Sequence, residues 1–174
     1  TKAEAESWFN QNIKQGLEGL GHKVDWVQGD KFQFTNWQGS WVVDFVRGEE
    51  RDGTPLRADP HVRKTVAQLA TQTEVARVLG LRFVSKALKG GKPPTVEASE
   101  YKLYATGLSQ RLANATLDVA GPGGQLRVHT PDAPLRGRPE RTYRYTVIDT
   151  IGGGASEIQK NIIARRKLGL PKSF

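Results

Sequence analysis

DPHVRKTVAQLATQTEVARVLGLRFVSKAL, residues 59–88, is the stretch whose pattern decides the fold. Asp59 followed by Pro60 starts a helix. The carboxylate accepts from the open N–H groups of a first turn, and proline's fixed φ suits the first helical position, where its missing N–H is no loss. Val62, Val66, Leu69, Thr73, Ala76, Gly80, Phe83 and Ala87 then recur in alternating steps of four and three. Such steps keep one stripe of side chains on one helix face, so the segment predicts a long helix of a bundle. Gly90-Gly91 is its stop signal.

Downstream, Pro93-Pro94 and Thr95 as N-cap open a second long helix. Ala98, Tyr101, Ala105, Leu108, Leu112, Ala115 and Val119 keep the same spacing until Gly121-Pro122-Gly123-Gly124 ends it. Two long helices with a tight connection pack antiparallel, and small residues on both stripes permit close approach. Residues 125–139, with Pro131, Pro134 and Pro139, read as an exposed loop. RTYRYTVIDTIGGG is a short element running into a glycine triplet. Ser156-Glu157-Ile158-Gln159 has the Ser-x-x-Gln capping-box form, and a last helix follows, with Arg165, Arg166 and Lys167 at its negative dipole end before Gly169 and Pro171.

Upstream, residues 1–20 read as an amphipathic helix, 21–33 as a loop, 34–50 as a further helix, and Gly53, Pro55 and Pro60 as a connector. Strand signals are few. The fold class is all-α.

The chain has 174 residues, 37% of them hydrophobic and 25% charged, which suits one domain with its own core. It carries no cysteine, which excludes thiolate metal sites, disulfides and a catalytic thiol. No apolar run reaches the length of a membrane span, and TKAEAESWFN has no signal-peptide core. The expected location is cytoplasmic. Thr1 in place of methionine predicts a processed chain or an excised domain. The net charge of +8 fits nucleic acid, an anionic surface or a phosphorylated ligand. The basic residues are dispersed and no nucleic-acid motif occurs, so nucleic acid is not the expected partner, and a phosphate-bearing cofactor or substrate explains the charge as well.

Gly152-Gly153-Gly154-Ala155-Ser156-Glu157 is the strongest local candidate for chemistry. Glycines admit close backbone approach, and the helix beyond offers unbonded N–H groups at a positive dipole end. A plain turn before a helix has the same pattern. His22, His61 and His129 show no ligand spacing, so no metal site is expected. Asp44, Glu49, Glu50 and Asp52 form an acidic group that is a solvated surface by default and a source of a general base if one of them faces a pocket.

TIGGGASEIQKNIIARRKLGLPKSF resembles the C-terminal signature of acyl-CoA dehydrogenases. Gly154, Ser156, Glu157, Ile158, Gln159, Asn161, Ile162, Ile163, Ala164, Arg165, Leu168, Gly169, Leu170 and Pro171 match it in register. DGTPLRADPHVRKTVAQLATQTEVARVL and EASEYKLYATGLSQRLANATLDVAGPGG resemble two of the family's helices, and RTYRYTVIDTI the arginine-bearing element between them and the signature. The likeness covers residues 53–174, and the fold it implies there is the family's C-terminal domain, an up-down four-helix bundle. Residues 1–52, the N-terminal segment, match poorly.

The resemblance implies an FAD enzyme that removes two hydrogens from an acyl-CoA, a carboxylate taking the α-proton and the flavin a hydride from the β-carbon. It also implies homo- or hetero-oligomers in which flavin sites are shared across a subunit interface. Carried onto this sequence, the flavin contacts fall on Ala155, Ser156, Glu157 and Gly121, with Arg51 standing in for a flavin-phosphate arginine whose own position holds Glu49. Other positions depart from the pattern. The usual catalytic glutamate is Gly153, so the catalytic residue is unknown. The family's phenylalanine is Asp52, and two glutamines are Pro60 and Asp118. Relatives of this eroded kind resemble the paired subunits of actinobacterial steroid side-chain β-oxidation, where two different chains build one flavin site. The expected activity is α,β-dehydrogenation of an acyl-CoA thioester, with a non-catalytic assembly subunit as the alternative.

Overall fold

The computed structural model describes residues 23–27, 31–35, 37–89 and 93–171. The helix expected over 1–20, His22 and the Gly90-Gly91 stop lie outside these residues. The chain divides into two compact units at Val43–Asp44.

In the first unit, β1 (Lys23–Val27) pairs antiparallel with β2 (Lys31–Thr35), Val24 opposite Phe34 and Trp26 opposite Phe32. Most of the described residues in the loop expected over 21–33 are therefore strand, and the following helix, α1 (Trp37–Gly48), starts three residues later than expected and runs across the division into the second unit. The overlooked signal is the two-residue alternation in KVDWV and KFQFT, which the glycines and aspartates around it obscured.

In the second unit, the Asp52-Gly53 pair makes a tight hairpin between β3 (Glu50–Arg51) and β4 (Thr54–Pro55). Both turn residues have positive φ, +52° and +75°, as a two-residue hairpin loop of primed type requires. The expected connector is thus an ordered ribbon. It feeds a 3₁₀ turn, Leu56–Ala58, that places Leu56 in an apolar cluster with Val46, Val62 and Val119. Each such side chain stabilises the fold by roughly 1.5–3 kcal/mol on burial.

Helix α2 (Pro60–Leu88) starts as expected: the Asp59 carboxylate accepts from the N–H groups of His61 (2.7 Å) and Val62 (3.3 Å). Helix α3 (Thr95–Ala120) runs antiparallel to it, since Lys86 meets Glu97, Gly80 meets Tyr101 and Gln72 meets Arg111. At the crossing, a Cβ on Gly80 would lie 3.1 Å from the Tyr101 ring, so the absent side chain is what admits the ring. Glu97, Ser99, Thr106, Leu108, Leu112, Ala113, Thr116 and Val119 are buried, which makes α3 the central rod. The hydroxyls of Ser99, Thr106 and Thr116 donate to carbonyls four residues back, so small polar groups pack inside without stranded donors.

Helices α4 (Arg138–Asp149) and α5 (Ser156–Lys167) both pack on α3. The four helices α2–α5 form the all-α bundle that the resemblance implies, and α2 and α3 are the long antiparallel pair that the spacing predicts. Three local expectations change. Thr95 is the first residue of α3 rather than its cap: Pro94 precedes it, and its hydroxyl is taken up by Arg166 at 2.6 Å. The Ser156 side chain makes no capping bond, and Ala155 holds the cap position. Residues 125–139 are not simply exposed, because Gly137 and Pro139 are buried. A Cβ on Gly137 would lie 2.3 Å from the Val128 nitrogen, so the 127–128 backbone rests directly on that glycine. Among the described residues, no helix is long and apolar enough to cross a membrane.

Candidate functional site

The entrance to α5 is a fastened glycine turn. Gly153 and Gly154 have φ of +67° and +98°, conformations that L side chains rarely adopt. The Lys102 ammonium, from α3, donates to the Gly154 carbonyl. The Gln159 amide, from α5, donates to the carbonyls of Gly153 (3.1 Å) and Gly154 (3.3 Å). The Ser156 N–H reaches the Thr150 carbonyl at 3.1 Å. The glutamine of the expected capping box therefore closes on the turn itself. A Cβ at Gly154 would sit 2.7 Å from the Gln159 amide nitrogen, whereas at Gly153 its nearest neighbour is a Lys102 carbon at 3.9 Å. Gly153, which the resemblance expects at the catalytic glutamate's position, is thus exposed with space beside it, though its positive φ would strain any side chain placed there.

Lys102 and Asp149 are the titratable groups beside this turn that the sequence did not single out. Burial pushes the Lys102 ammonium below its ordinary range, and Asp149 opposes the shift. Burial likewise raises the Asp149 carboxyl, and Lys102 opposes it. Neither lies in a recognisable motif, and only the packing of α4 against α3 brings them together. Ala155, Ser156 and Glu157 form the rim. The Ala155 cap position offers no side-chain acceptor, so of the first-turn N–H groups Ser156 is taken by the Thr150 carbonyl while those of Glu157 and Ile158 remain for an external acceptor.

Arg51 and Gly121 form a second group at the other end of α3. The Arg51 guanidinium donates to the carbonyl oxygens of Val119 (2.6 Å) and Asp118 (3.3 Å), where the negative helix end attracts a cation. A side chain on Gly121, whose φ is +67°, would lie 3.6 Å from that guanidinium. The Asp52-Gly53 turn holds Arg51 there through the β3–β4 pairing. A helix rises 1.5 Å per residue, so Lys102 and Val119 stand roughly 25 Å apart along α3. The five expected cofactor residues are therefore not one cluster but two, at opposite ends of a rod.

Pro60 and Asp118, expected at the family's glutamine positions, are placed as follows: Pro60 starts α2, and Asp118 lends its backbone carbonyl to Arg51. Asp44, Glu49, Glu50 and Asp52 are exposed. Among the described residues, no three acidic or histidine side chains converge in a manner that would hold a metal ion.

The family described as "Acyl-CoA dehydrogenase, C-terminal domain" matches residues 40–168. The chain is 32% identical over 127 residues to acyl-CoA dehydrogenase FadE26 of Mycobacterium tuberculosis, covering 72% of this chain and 32% of that protein. It is 33% identical over 123 residues to an acryloyl-CoA reductase (NADH) of Anaerotignum propionicum, with 71% and 29% covered. Its structure resembles a chain of the ChsE4-ChsE5 complex from Mycobacterium tuberculosis with a TM-score of 0.71 at 29% identity, covering 78% of this chain and 35% of that one. The chain thus spans about a third of the length of the relatives it matches. The match over residues 40–168, laid on the bundle of α2–α5, shows that this chain belongs to the acyl-CoA dehydrogenase family through that family's C-terminal domain.

Proposed function

We propose that this chain is the C-terminal domain of an FAD-dependent acyl-CoA dehydrogenase that introduces an α,β double bond into an acyl-CoA thioester. A bulky or steroid side-chain thioester is the preferred class. Similarity to a protein described as a steroid acyl-CoA dehydrogenase, with a TM-score of 0.68 at 26% identity, supports that choice. The cytoplasm is the compartment this reading favours.

The residues present fit a flavin dinucleotide. The uncapped first turn of α5 suits an anionic or carbonyl oxygen, and Arg51 beside Gly121 suits a phosphate approaching close backbone. A bound flavin supplies the hydride acceptor. Ala155, Ser156 and Glu157 would orient one such cofactor, while Arg51 and Gly121, roughly 25 Å away along α3, would touch another. This separation is the observation that carries the reading: it suits a site completed by a second subunit, homologous or not. Tyr143 and Val147 on α4 and Ile158 and Leu168 at α5 are apolar and exposed in the single chain, which also suits assembly.

A second reading, a non-catalytic subunit of a heteromeric dehydrogenase, is favoured by Gly153. No carboxylate stands there to take the α-proton, so the base belongs to another part of the protein or to a partner. Copurification of the full-length protein with its candidate partner chains tests both readings. Flavin absorbance is expected in the assembly, with loss on Arg51→Ala. A preparation that stays colourless with every candidate partner overturns the flavin reading. Gly153→Glu separates the two roles: a change in dehydrogenation rate places this turn at the substrate, and an unchanged rate assigns the chain to assembly.

A further inference from the structure

We propose that a cavity of about 500 Å³ lined by Arg127, His129, Arg141, Arg144, Tyr145 and Ile148 binds a small phosphate monoester carrying an apolar or aromatic group. The volume is within the range of small-ligand sites. It uses none of Arg51, Gly121 or Ala155–Glu157, and the inference does not depend on flavin binding.

Charge is the first argument. Three guanidiniums face this space, and among the described residues Glu140 is the carboxylate that ties to them. Its two oxygens accept from Nε and a terminal nitrogen of Arg144, at 2.5 and 3.1 Å, and Arg127 lies 4.0 Å away. Arg144 beside it holds the Glu140 carboxyl below the usual carboxylate range, so it is charged at neutral pH. Three arginine cations against one carboxylate leave a surplus of about two charges, which matches a phosphate monoester dianion. Glu140 orients Arg144 and draws in Arg127. No described residue accepts a hydrogen bond from Arg141, whose planar fork suits two phosphate oxygens.

Construction is the second argument. The Arg127–His129 wall exists because Gly137 lets its backbone lie against the start of α4. His129, Asp132, Leu135 and Arg136 all have φ between +53° and +73°. Four such non-glycine residues within eight positions are a concentration of unfavourable backbone, of the kind that persists where surrounding structure enforces it and that clusters at binding sites. Tyr145 and Ile148 add an apolar wall that inorganic phosphate alone does not use.

Isothermal titration of the chain with phenyl phosphate at low ionic strength tests this. Phenyl phosphate is expected to bind at least tenfold more tightly than inorganic phosphate, and phenol not to bind measurably. Arg141→Gln, on α4, and Arg127→Gln, on the facing loop, are each expected to weaken binding about tenfold or more. Lys160→Gln, which removes an equal charge from exposed α5, is expected to leave it unchanged. Equal losses in all three variants reduce the effect to net charge and overturn the site. So does binding that survives Arg141→Gln and Arg127→Gln, or an absence of binding by a chain with native helical circular dichroism.

Discussion

Arg51 donates to the Val119 carbonyl at 2.6 Å, joining a two-residue strand to the last turn of the central helix. The contact both satisfies a helix-end acceptor and places a cation at the negative dipole end. Arg51→Ala is expected to lower stability by about 1 kcal/mol, because the side chain is only partly buried. Arg51→Lys, which lacks the fork, is expected to recover at most half of it in urea titrations. Full recovery by lysine would show that charge alone matters there.

Gly137 admits no side chain. With Val128 N 2.3 Å from a hypothetical Cβ and a φ of +72°, Gly137→Ala is expected to destabilise by about 2–3 kcal/mol. A midpoint of urea unfolding within error of the parent would show that the 127–128 loop moves freely.

Two glycines inside helices are expected to respond with opposite sign. Gly107→Ala meets only the flexible end of Arg111, at 3.3 Å, and is expected to stabilise by up to about 1 kcal/mol through helix propensity. Gly80→Ala meets the Tyr101 ring at 3.1 Å. Burial there lifts the tyrosine hydroxyl to about 12. The ring has little room to retreat, so overpacking of roughly 1–3 kcal/mol outweighs the same propensity gain. Thermal melts of the two variants check the ordering.

The acid limb of stability is expected to depend on Glu97. Its bond from Lys86 holds the carboxyl below the ordinary glutamate value of 4.5. A lowered folded value means that the unfolded chain binds the proton first. The stabilisation is therefore present above 4.5 and disappears as pH falls through the lower folded value. Glu97→Gln should be less stable than the parent at neutral pH, with the gap closing in acid. Asp149 has the opposite sign: its raised carboxyl makes the charged form unfavourable above 3.8, so Asp149→Asn should gain relative to the parent as pH rises through that range. A pH-independent gap for either variant would contradict its assignment.

The bundle was legible because α2 and α3 are long and their stripes repeat many times. Asp59-Pro60 was legible because a cap and an N1 proline act within a few residues. β1–β2 and β3–β4 read in the sequence as loop and connector because short strands announce themselves by two or three alternations, or by one Asp-Gly pair. The candidate site was readable as a set of residue identities. The sequence carries no trace of Lys102 reaching the Gly154 carbonyl 52 positions on, nor of the division of the expected cofactor residues between the two ends of α3, because both follow from how separate helices pack.

The partners along α2 and α3 recede from their connection in step: Lys86 with Glu97, Gly80 with Tyr101, Gln72 with Arg111, then Val62 with Val119. Each successive pair encloses a longer loop than the one before, and loop closure grows costlier only with the logarithm of length. The helical hairpin can therefore zip from its tip, with the Lys86–Glu97 pair as the first tertiary contact and the Arg51 clasp on Val119 as the last. In refolding experiments, substitutions near Tyr101 should slow folding, while those around Val62 and Arg51 should chiefly speed unfolding.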